Sequence, residues 1–297
     1  MTVLALEIGS ASFVATQVAE GVSDEDVRRI PIPATGAWEA CRSLLHEVAG
    51  SDDVIAIGIA SVGPIDMAAG VVAPVSVLEW QTGFELVEAV RKEFPGADVQ
   101  LGLDGVCLAL AEQNFGATAE IPDSLVICLS DRITAGLTVG GLAVVGRTGN
   151  AGHLGHLLVP GYDDRCECGG RGCLEAIAGG RSAVRWARAQ GWSGDRLADL
   201  VTAAGAADPV AIATFERVGT AVGLAIASAA PLLDIGVVAI GGPMIEAGQA
   251  LWKPLNAAVV AHARVGFLAA LRVVSSEMED LGALAGAGVL ALLAAQS

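Results

Sequence analysis

Short apolar runs separated by turn residues dominate the N-terminal third of the chain. Residues 3–8 and 13–18 predict two strands joined through a glycine-containing turn at 9–12, which together form a hairpin. Residues 54–60 are apolar without interruption, which is typical of a strand buried on both faces of a parallel sheet. The other predicted elements follow in this order: helix 37–48, turn 63–66, helix 84–94, strand 99–103 and helix 106–115.

The same order of elements begins again near residue 125. The predicted elements of this part are strands 125–129, 133–139 and 142–145, a helical region 174–231, strand 236–240, helix 245–262, strand 271–275 and helix 281–295. Two copies of a hairpin-led α/β unit predict two domains that face each other across an inter-domain cleft. This is the actin/hexokinase-like architecture with its ribonuclease H-like repeat. We place the boundary between the domains near residues 114–121.

Composition indicates a large aliphatic core and an acidic surface. Hydrophobic residues make up 53% of the 297 positions and mean hydropathy is +0.59. The formal net charge of −16 argues against direct binding to nucleic acid, because that affinity comes from Lys and Arg neutralising phosphate. The uncharged run 218–233 is short for a membrane span of about 20 residues, and no basic targeting segment follows Met1. We expect a cytoplasmic protein that contacts neither nucleic acid nor membrane.

A cluster of metal-ligand residue types lies in the middle of the chain. Three of the six cysteines follow two of the four histidines between residues 153 and 173. One His and three Cys supply the four donors of a closed tetrahedral zinc site, which is usually structural. The glycines around the cysteines permit the curled backbone that such spacing needs. A disulfide cluster or unrelated buried thiols are the alternatives, and the lack of a secretory signal favours metal.

The spacing of this cluster carries a family resemblance. A Gly-His pair, nine further residues and the run Cys-x-Cys-Gly-x-x-Gly-Cys-Leu-Glu resemble the signature of the ROK family (repressors, open reading frames and sugar kinases). The resemblance implies that His156, Cys166, Cys168 and Cys173 bind a structural zinc ion and that His156 and Glu175 contact a sugar. Without it, a glutamate opening a helix is ordinarily a solvated charge favoured by the helix dipole.

The resemblance also implies a domain organisation and partners. In that family the C-terminal helix returns to the first domain, so we expect a smaller domain of residues 1–117 plus 281–297. The larger domain would span 118–280 and carry the zinc motif. The implied ligand is a small-molecule carbohydrate, and the implied assembly is a homodimer.

The first phosphate-binding stretch departs from the family pattern. Family kinases carry Asp-x-Gly-Gly-Thr in the first hairpin, where the glycines let backbone N–H groups approach phosphate and the acid serves magnesium. Here Glu7, Gly9 and Ser10 occupy that stretch, so one glycine is kept and the carboxylate is one methylene longer. The resemblance assigns these three residues to the Mg-ATP side of the site.

The second phosphate-binding stretch departs further. The family pattern Gly-Thr-Gly-x-Gly aligns with 130–134, where Ser130, Asp131 and Arg132 begin the run. Side chains at glycine positions keep the backbone farther from a phosphate. Asp131 adds negative charge there, while Arg132 offsets it. We therefore predict impaired phosphoryl transfer, with Ser130 and Arg132 as the nucleotide-side residues.

The position of the catalytic base is kept. Asp104 matches the aspartate that removes the proton from the accepting sugar hydroxyl in the family, although an acid between a strand and a helix is also a common N-cap. The preceding family asparagine, a sugar contact, is Leu103 here. Leucine has no hydrogen-bonding group, so one polar contact is lost.

The remaining family positions are mixed. His153 replaces a sugar-binding glutamate, and Ser76 aligns with a family asparagine. A single histidine such as His153 is also compatible with an ordinary partly buried imidazole. Gly241 and Gly242 resemble the adenosine-side turn of the family, although a Gly-Gly pair after a strand serves plain chain reversal as well.

Three functions fit these residues. The first is an ATP-dependent kinase of a hexose or amino sugar, with Asp104 as base and transfer driven by positioning and electrostatics. The second is a carbohydrate sensor or pseudokinase without phosphoryl transfer. The third is the effector domain of a ROK transcriptional regulator whose DNA-binding part lies outside this sequence.

Overall fold

The computed structural model describes residues 2–18, 26–278 and 281–296. The chain divides into two compact units. The first unit contains Met1–Asn114, Ala143–Gly152 and Asp280–Ser297, and the second contains Phe115–Leu142 and His153–Glu279. Residues 143–152 thus pack with the first unit, whereas the sequence pattern places them with the second.

The first unit is a five-stranded mixed sheet with helices on both faces. Its sheet order is β3-β2-β1-β4-β7, in which β1 pairs antiparallel with β2 and parallel with β4. Its elements are β1 (Thr2–Ile8), β2 (Ser12–Gln17), β3 (Arg28–Pro31), α1 (Ala37–Ala49), β4 (Val54–Ser61), the short pair β5 (Ile65–Asp66) and β6 (Val71–Val72), α2 (Leu86–Glu93), β7 (Asp98–Leu103), α3 (Asp104–Phe115) and α9 (Gly282–Ala295).

Strand β1 divides the apolar residues of this unit between the two sheet faces. Leu4, Leu6 and Ile8 pack with α1 and α2, while Ala5 belongs to the cluster formed with α3 and α9. Successive side chains of a strand point to opposite faces, so a strand buried on both faces has no polar alternation. The continuous apolar run of β4 has the same cause.

Small residues let α9 lie very close to the sheet. A Cβ atom added to Gly58 in β4 would overlap the carbonyl oxygen of Ala287 in α9. A Cβ atom added to Gly286 in α9 would overlap the carbonyl oxygen of Cys107 in α3. Both positions therefore need glycine because there is no space for a Cβ atom. Backbone conformation is not the reason, since neither residue has a positive φ.

The second unit repeats the arrangement of the first. Its sheet order is β10-β9-β8-β11-β12, with β8 antiparallel to β9 and parallel to β11. Its elements are β8 (Ser124–Leu129), β9 (Ile133–Val139), β10 (Leu142–Ala143), α4 (Leu174–Ala178), α5 (Gly180–Ala189), α6 (Leu197–Gly205), α7 (Pro209–Leu233), β11 (Val237–Gly241), α8 (Gln249–His262) and β12 (Arg272–Ser275). The predicted hairpin-led repeat is confirmed.

Helix α7 is the central helix of the second unit. It begins at the N-cap Asp208, whose carboxylate accepts hydrogen bonds from the N–H groups of Val210 and Ala211. Its 25 residues are long and apolar enough to cross a membrane by length and composition, but 61% of the most apolar window is buried inside the protein. The backbone of α8 lies against Gly219 and Gly223, which indicates a core helix.

Three local differences from the sequence pattern have clear causes. The predicted strand 142–145 ends at Ala143, because the following residues pack with the first unit. The predicted helix 245–262 is broken at Gly248, whose φ of 60° no helix accommodates. Strand β3 is not among the predicted elements, because none of its side chains is fully buried and its sequence therefore lacks a run of apolar residues.

We predict that Gly286→Ala lowers the free energy of unfolding by about 1–3 kcal/mol, because the added methyl group overpacks the contact between α9 and α3. Chemical denaturation of the purified variants measures this. Gly96→Ala is the matched control, since no atom lies within 4 Å of a Cβ at that position. Equal stability of the two variants would contradict the packing described for α9.

Candidate functional site

The residues assigned to the phosphate and base positions of the first unit meet at one edge of its sheet. Gly9 and Ser10 follow β1, and Asp104 follows β7. The register aligns Ile8 with Ser61 and Ser61 with Leu103, so these strands end at the same level. Carboxyl ends of parallel strands in open α/β sheets are common ligand positions.

Two carboxylates lie near one buried thiol at this edge. Burial strongly raises the pKa of the Cys107 thiol, and the negative charges of Asp104 and Glu7 raise it further. Asp104 opens α3, and its Oδ1 accepts a hydrogen bond from the N–H of Gly105 at 2.8 Å. The acid thus stands at the strand-to-helix junction, as the sequence predicts.

The turn after β1 is held from two sides. The Gly9 N–H donates to the Ser12 carbonyl oxygen at 3.0 Å, and the Ser76 hydroxyl donates to the Gly9 carbonyl oxygen at 3.1 Å. Leu103 is an apolar residue that is only 2% exposed and lies within the hydrophobic core. It is therefore a packing residue in this structure.

A second set of predicted residues meets at the equivalent edge of the second unit. Ser130 follows β8, and Gly241 ends β11, where it pairs with Cys128 of β8. Gly242 has φ of 88°, and a Cβ atom there would lie 2.6 Å from the Leu129 carbonyl oxygen. The Gly-Gly turn therefore depends on both the conformation and the small size of glycine.

The loop of residues 130–132, between β8 and β9, has its three carbonyl oxygens hydrogen-bonded within the protein. The Arg132 carbonyl oxygen accepts from both the N–H (3.3 Å) and the hydroxyl (2.9 Å) of Ser130. The carbonyl oxygens of Ser130 and Asp131 accept from the first N–H groups of α5, on Gly180 and Arg181, at 2.9 and 3.2 Å. The positive end of α5 therefore faces loop carbonyls.

Glu175, at the start of α4, is a largely buried carboxylate. Its Oε2 accepts the N–H of Ile133 at 2.8 Å. Gly155 and Gly179 make room for it, since Cβ atoms there would lie 3.3 and 2.6 Å from its oxygens. Burial raises the pKa of Glu175, while the Ile133 N–H and the Arg132 guanidinium oppose that rise.

The four predicted metal ligands come together in space. The donor atoms of His156, Cys166, Cys168 and Cys173 all lie within 4.8 Å of one another. The Sγ atoms of Cys168 and Cys173 are 3.8 Å apart, and the Cys166 Sγ lies 3.9 Å from the His156 Nδ1. A tetrahedral ion with Zn–S bonds of about 2.3 Å places its sulfur ligands about 3.8 Å apart. The donor set therefore fits zinc.

The backbone around the cysteines curls as the glycines allow. Gly169 and Gly172 have φ of 90° and 73°, a region that other residues rarely adopt. The Cys166 N–H donates to the Gly170 carbonyl oxygen at 2.9 Å, which closes the turn. The three cysteines are free thiols in this arrangement, so the alternative of a disulfide cluster is not what the structure describes.

Ion pairs that the sequence does not predict anchor this cysteine-containing turn. The Arg217 guanidinium of α7 donates to Asp164 at 2.6 Å and lies 4.9 Å from the ring centroid of Tyr162. Arg132 donates to Glu167, between two of the cysteines, at 2.8 Å. A signal for the first pair is absent from the sequence, because 53 positions separate its partners.

The two histidines of the cluster stack on each other. The ring centroids of His153 and His156 are 6.1 Å apart, with 15° between the ring planes. Although His156 keeps an exposed edge, partial burial lowers its pKa, and His153 and Arg132 lower it further. A neutral imidazole is the form that binds a metal.

The comparison with known families decides the assignment. The sequence model of the ROK family matches residues 3–294 of this chain. The chain belongs to the ROK family.

Relatives within the ROK family include kinases and a regulator. The chain is 29% identical to the glucokinase of Aeropyrum pernix over 310 residues, which cover 97% of this chain and 96% of the glucokinase. It is 31% identical to the DNA-binding transcriptional dual regulator NagC of Escherichia coli over 241 residues, or 78% of this chain. That match covers 59% of NagC.

A solved ROK structure has the same fold. The ROK glucokinase of Streptomyces griseus, solved with glucose and AMPPNP, superposes with a TM-score of 0.84 at 25% identity. The comparison covers 99% of this chain and 100% of the glucokinase. This chain therefore has the actin/hexokinase-like α/β fold of ROK sugar kinases, with mixed sheets. The inter-domain cleft stays a prediction.

Proposed function

We propose that this ROK chain is a carbohydrate-binding protein of the sugar-kinase type whose transfer of phosphate from Mg-ATP to a hexose or amino sugar is impaired. The observation that carries the proposal is the contrast within the second unit. The partly buried Glu175 and the predicted metal-ligand cluster have the residue types of the family, whereas the carbonyl oxygens of the loop after β8 accept hydrogen bonds from α5 and from within the loop.

The sugar contacts would come from polar groups around Glu175. A carboxylate accepts hydrogen bonds from two hydroxyl groups of a sugar, and the exposed imidazole of His153 offers one further donor or acceptor. In the first unit, Asp104 would take the proton of the accepting hydroxyl. Ser76 would add a hydroxyl contact if the sugar reaches that edge of the sheet.

The residues proposed to contact the nucleotide support slow transfer of phosphate. Mg-ATP would involve Glu7, Gly9 and Ser10 in one unit and Ser130, Arg132, Gly241 and Gly242 in the other. Removing one donor from an electrostatic site typically costs a factor of about 10²–10³ in rate. In this chain side chains replace the loop glycines, and loop carbonyls already occupy the first N–H groups of α5.

Zinc would be a structural component of the carbohydrate site. Its four ligands would be His156, Cys166, Cys168 and Cys173, and its binding would fix the turn that carries Glu167 and helix α4, which carries Glu175. Burial raises the pKa of Cys173 to about 12, so protons compete strongly for this ligand. Metal binding of thiolates releases protons and weakens as pH falls.

A second candidate function is the effector domain of a transcriptional regulator. The specific observation is the 31% identity to NagC over 78% of this chain. In that case the same carbohydrate site would control a DNA-binding part outside this sequence. Homodimer formation, a cytoplasmic location and the lack of direct contact with nucleic acid remain predictions for either function.

We predict about one zinc ion per chain in the purified protein and its loss in Cys168→Ser, with a lower melting temperature, because structural zinc binding contributes folding free energy. Metal analysis and thermal denaturation measure both effects. Cys128→Ser, outside the cluster, serves as the control and should keep its zinc. Wild-type protein that lacks zinc and melts normally would reject the site.

Calorimetric titration with glucose, N-acetylglucosamine, N-acetylmannosamine and Mg-ATP tests the proposed function. We predict binding of at least one sugar, and binding weaker by at least about tenfold in Glu175→Gln, because a hydrogen bond to a charged group is worth about 1.5–3 kcal/mol. Glu216→Gln, an exposed position on α7, should bind like wild type. Failure to bind any of the sugars would reject the carbohydrate site, and micromolar Mg-ATP binding would favour a competent kinase.

A further inference from the structure

The Ser76 loop, defined as residues 74–81, connects the short strand β6 to the region before α2 in the first unit. Its last residues form a 3-10 helix, Leu78–Trp80. We propose that Glu79 is a positioning residue, which holds the Ser76 loop, and through it the Ser76 hydroxyl, against the turn after β1. The relevance of this position to a sugar rests on the proposed function.

Glu79 links the loop to the start of α1. Its Oε1 accepts the Gly36 N–H at 3.1 Å, and its Oε2 accepts the Ala37 N–H at 2.8 Å. Helix α1 has glycine at its N-cap and no side-chain cap of its own, so a residue 42 positions away supplies the missing acceptor. A carboxylate at this end also interacts favourably with the helix dipole.

The charge of Glu79 is suited to this contact. The N–H groups of Ala37 and Gly36 lower the pKa of the Glu79 carboxyl, which keeps it ionised. A glutamine at this position would keep the length of the side chain but offer one acceptor oxygen in place of two. One of the two N–H groups would then face an amide NH₂ group.

The neighbouring Trp80 fixes the other side of the same short helix. Its ring stacks on Phe84 at 4.6 Å and on Phe13 of β2 at 5.6 Å between centroids, and it is 2% exposed. Aromatic pairs of this kind contribute about 0.5–1.5 kcal/mol beyond their buried area. Glu79 and Trp80 thus attach the loop to α1 and to the first hairpin, respectively.

Ser76 lies within the segment that these contacts hold. Its hydroxyl donates to the Gly9 carbonyl oxygen at 3.1 Å, and the Gln81 side-chain amide donates to the Val75 carbonyl oxygen at 3.0 Å. Val75 and Leu78 are 59% and 69% exposed, so apolar burial contributes little to holding these two residues in place. Val77 and Trp80 of the same loop are 1% and 2% exposed and anchor it in the hydrophobic core. The hydroxyl contact of Ser76 and the two contacts of Glu79 add polar anchoring to the exposed part of the loop.

Amide hydrogen exchange of Glu79→Gln and of the matched control Glu39→Gln tests the proposal. Glu39 is an exposed glutamate in the first turn of α1, so its substitution changes the net charge equally. We expect exchange across 74–81 to rise at least about tenfold in Glu79→Gln only. We also expect weaker binding, by at least about threefold, of whichever of glucose, N-acetylglucosamine or N-acetylmannosamine the wild type binds.

The two readouts separate a positioning role from plain helix capping. Unchanged exchange at 74–81 in Glu79→Gln would overturn the proposal. Faster exchange with an unchanged sugar affinity would show that Glu79 holds the loop without positioning a sugar contact, which would overturn the role proposed for the Ser76 hydroxyl. A wild-type chain that binds none of the three sugars would reject the proposed function, and the exchange comparison alone would then decide whether Glu79 holds the loop.

Discussion

The hydrogen bond from the Ile133 N–H to the Glu175 carboxylate joins the two parts of the second unit that carry its chemistry. Ile133 begins β9, directly after the loop of residues 130–132, and Glu175 directly follows the metal-ligand cluster in sequence. The contact requires glycine at both 155 and 179, because a side chain there would meet the carboxylate. Burying a carboxylate is costly unless hydrogen bonds satisfy it. This bond, with the Arg132–Glu167 ion pair and the bonds from α5 to the loop carbonyls, therefore helps to fix where the cluster, the loop and α4 lie relative to one another.

One part of the proposed site can keep its chemistry while another part changes, because the two parts need different chemical groups. Metal ligation depends on four donor atoms and a curled turn, and both are present. Phosphate binding depends on free N–H groups, and the loop carbonyls of Ser130 and Asp131 already occupy the first ones of α5. The Arg132 guanidinium is paired with Glu167 in a partly exposed ion pair, and such pairs are worth about 0–1 kcal/mol. In the proposed function, carbohydrate recognition and phosphoryl transfer therefore depend on different groups.

Local patterns in the sequence predict much of this fold. The apolar runs of β1, β4 and β8 identify the repeated sheets, and the spacing of the cysteines identifies the four predicted metal ligands, which the structure brings together. The position of Asp104 at a strand-to-helix junction follows from the same patterns. By contrast, Glu79 at the start of α1 and Arg217 at Asp164 act over 42 and 53 positions. No periodicity records such pairs, because a single chain carries no signal of which distant residues meet.

Sugar-dependent release of ADP from Mg-ATP at saturating sugar tests most directly the claim that carbohydrate binding survives while phosphoryl transfer is impaired. Typical enzymes turn over at about 1–10³ per second, and loss of one electrostatic donor lowers the rate about 10²–10³-fold. From the median of about 10 per second, such a loss leaves about 0.01–0.1 per second, and we predict that the sugar-bound chain releases ADP no faster than that. A rate of about 1 per second or more with any of the three sugars would contradict it.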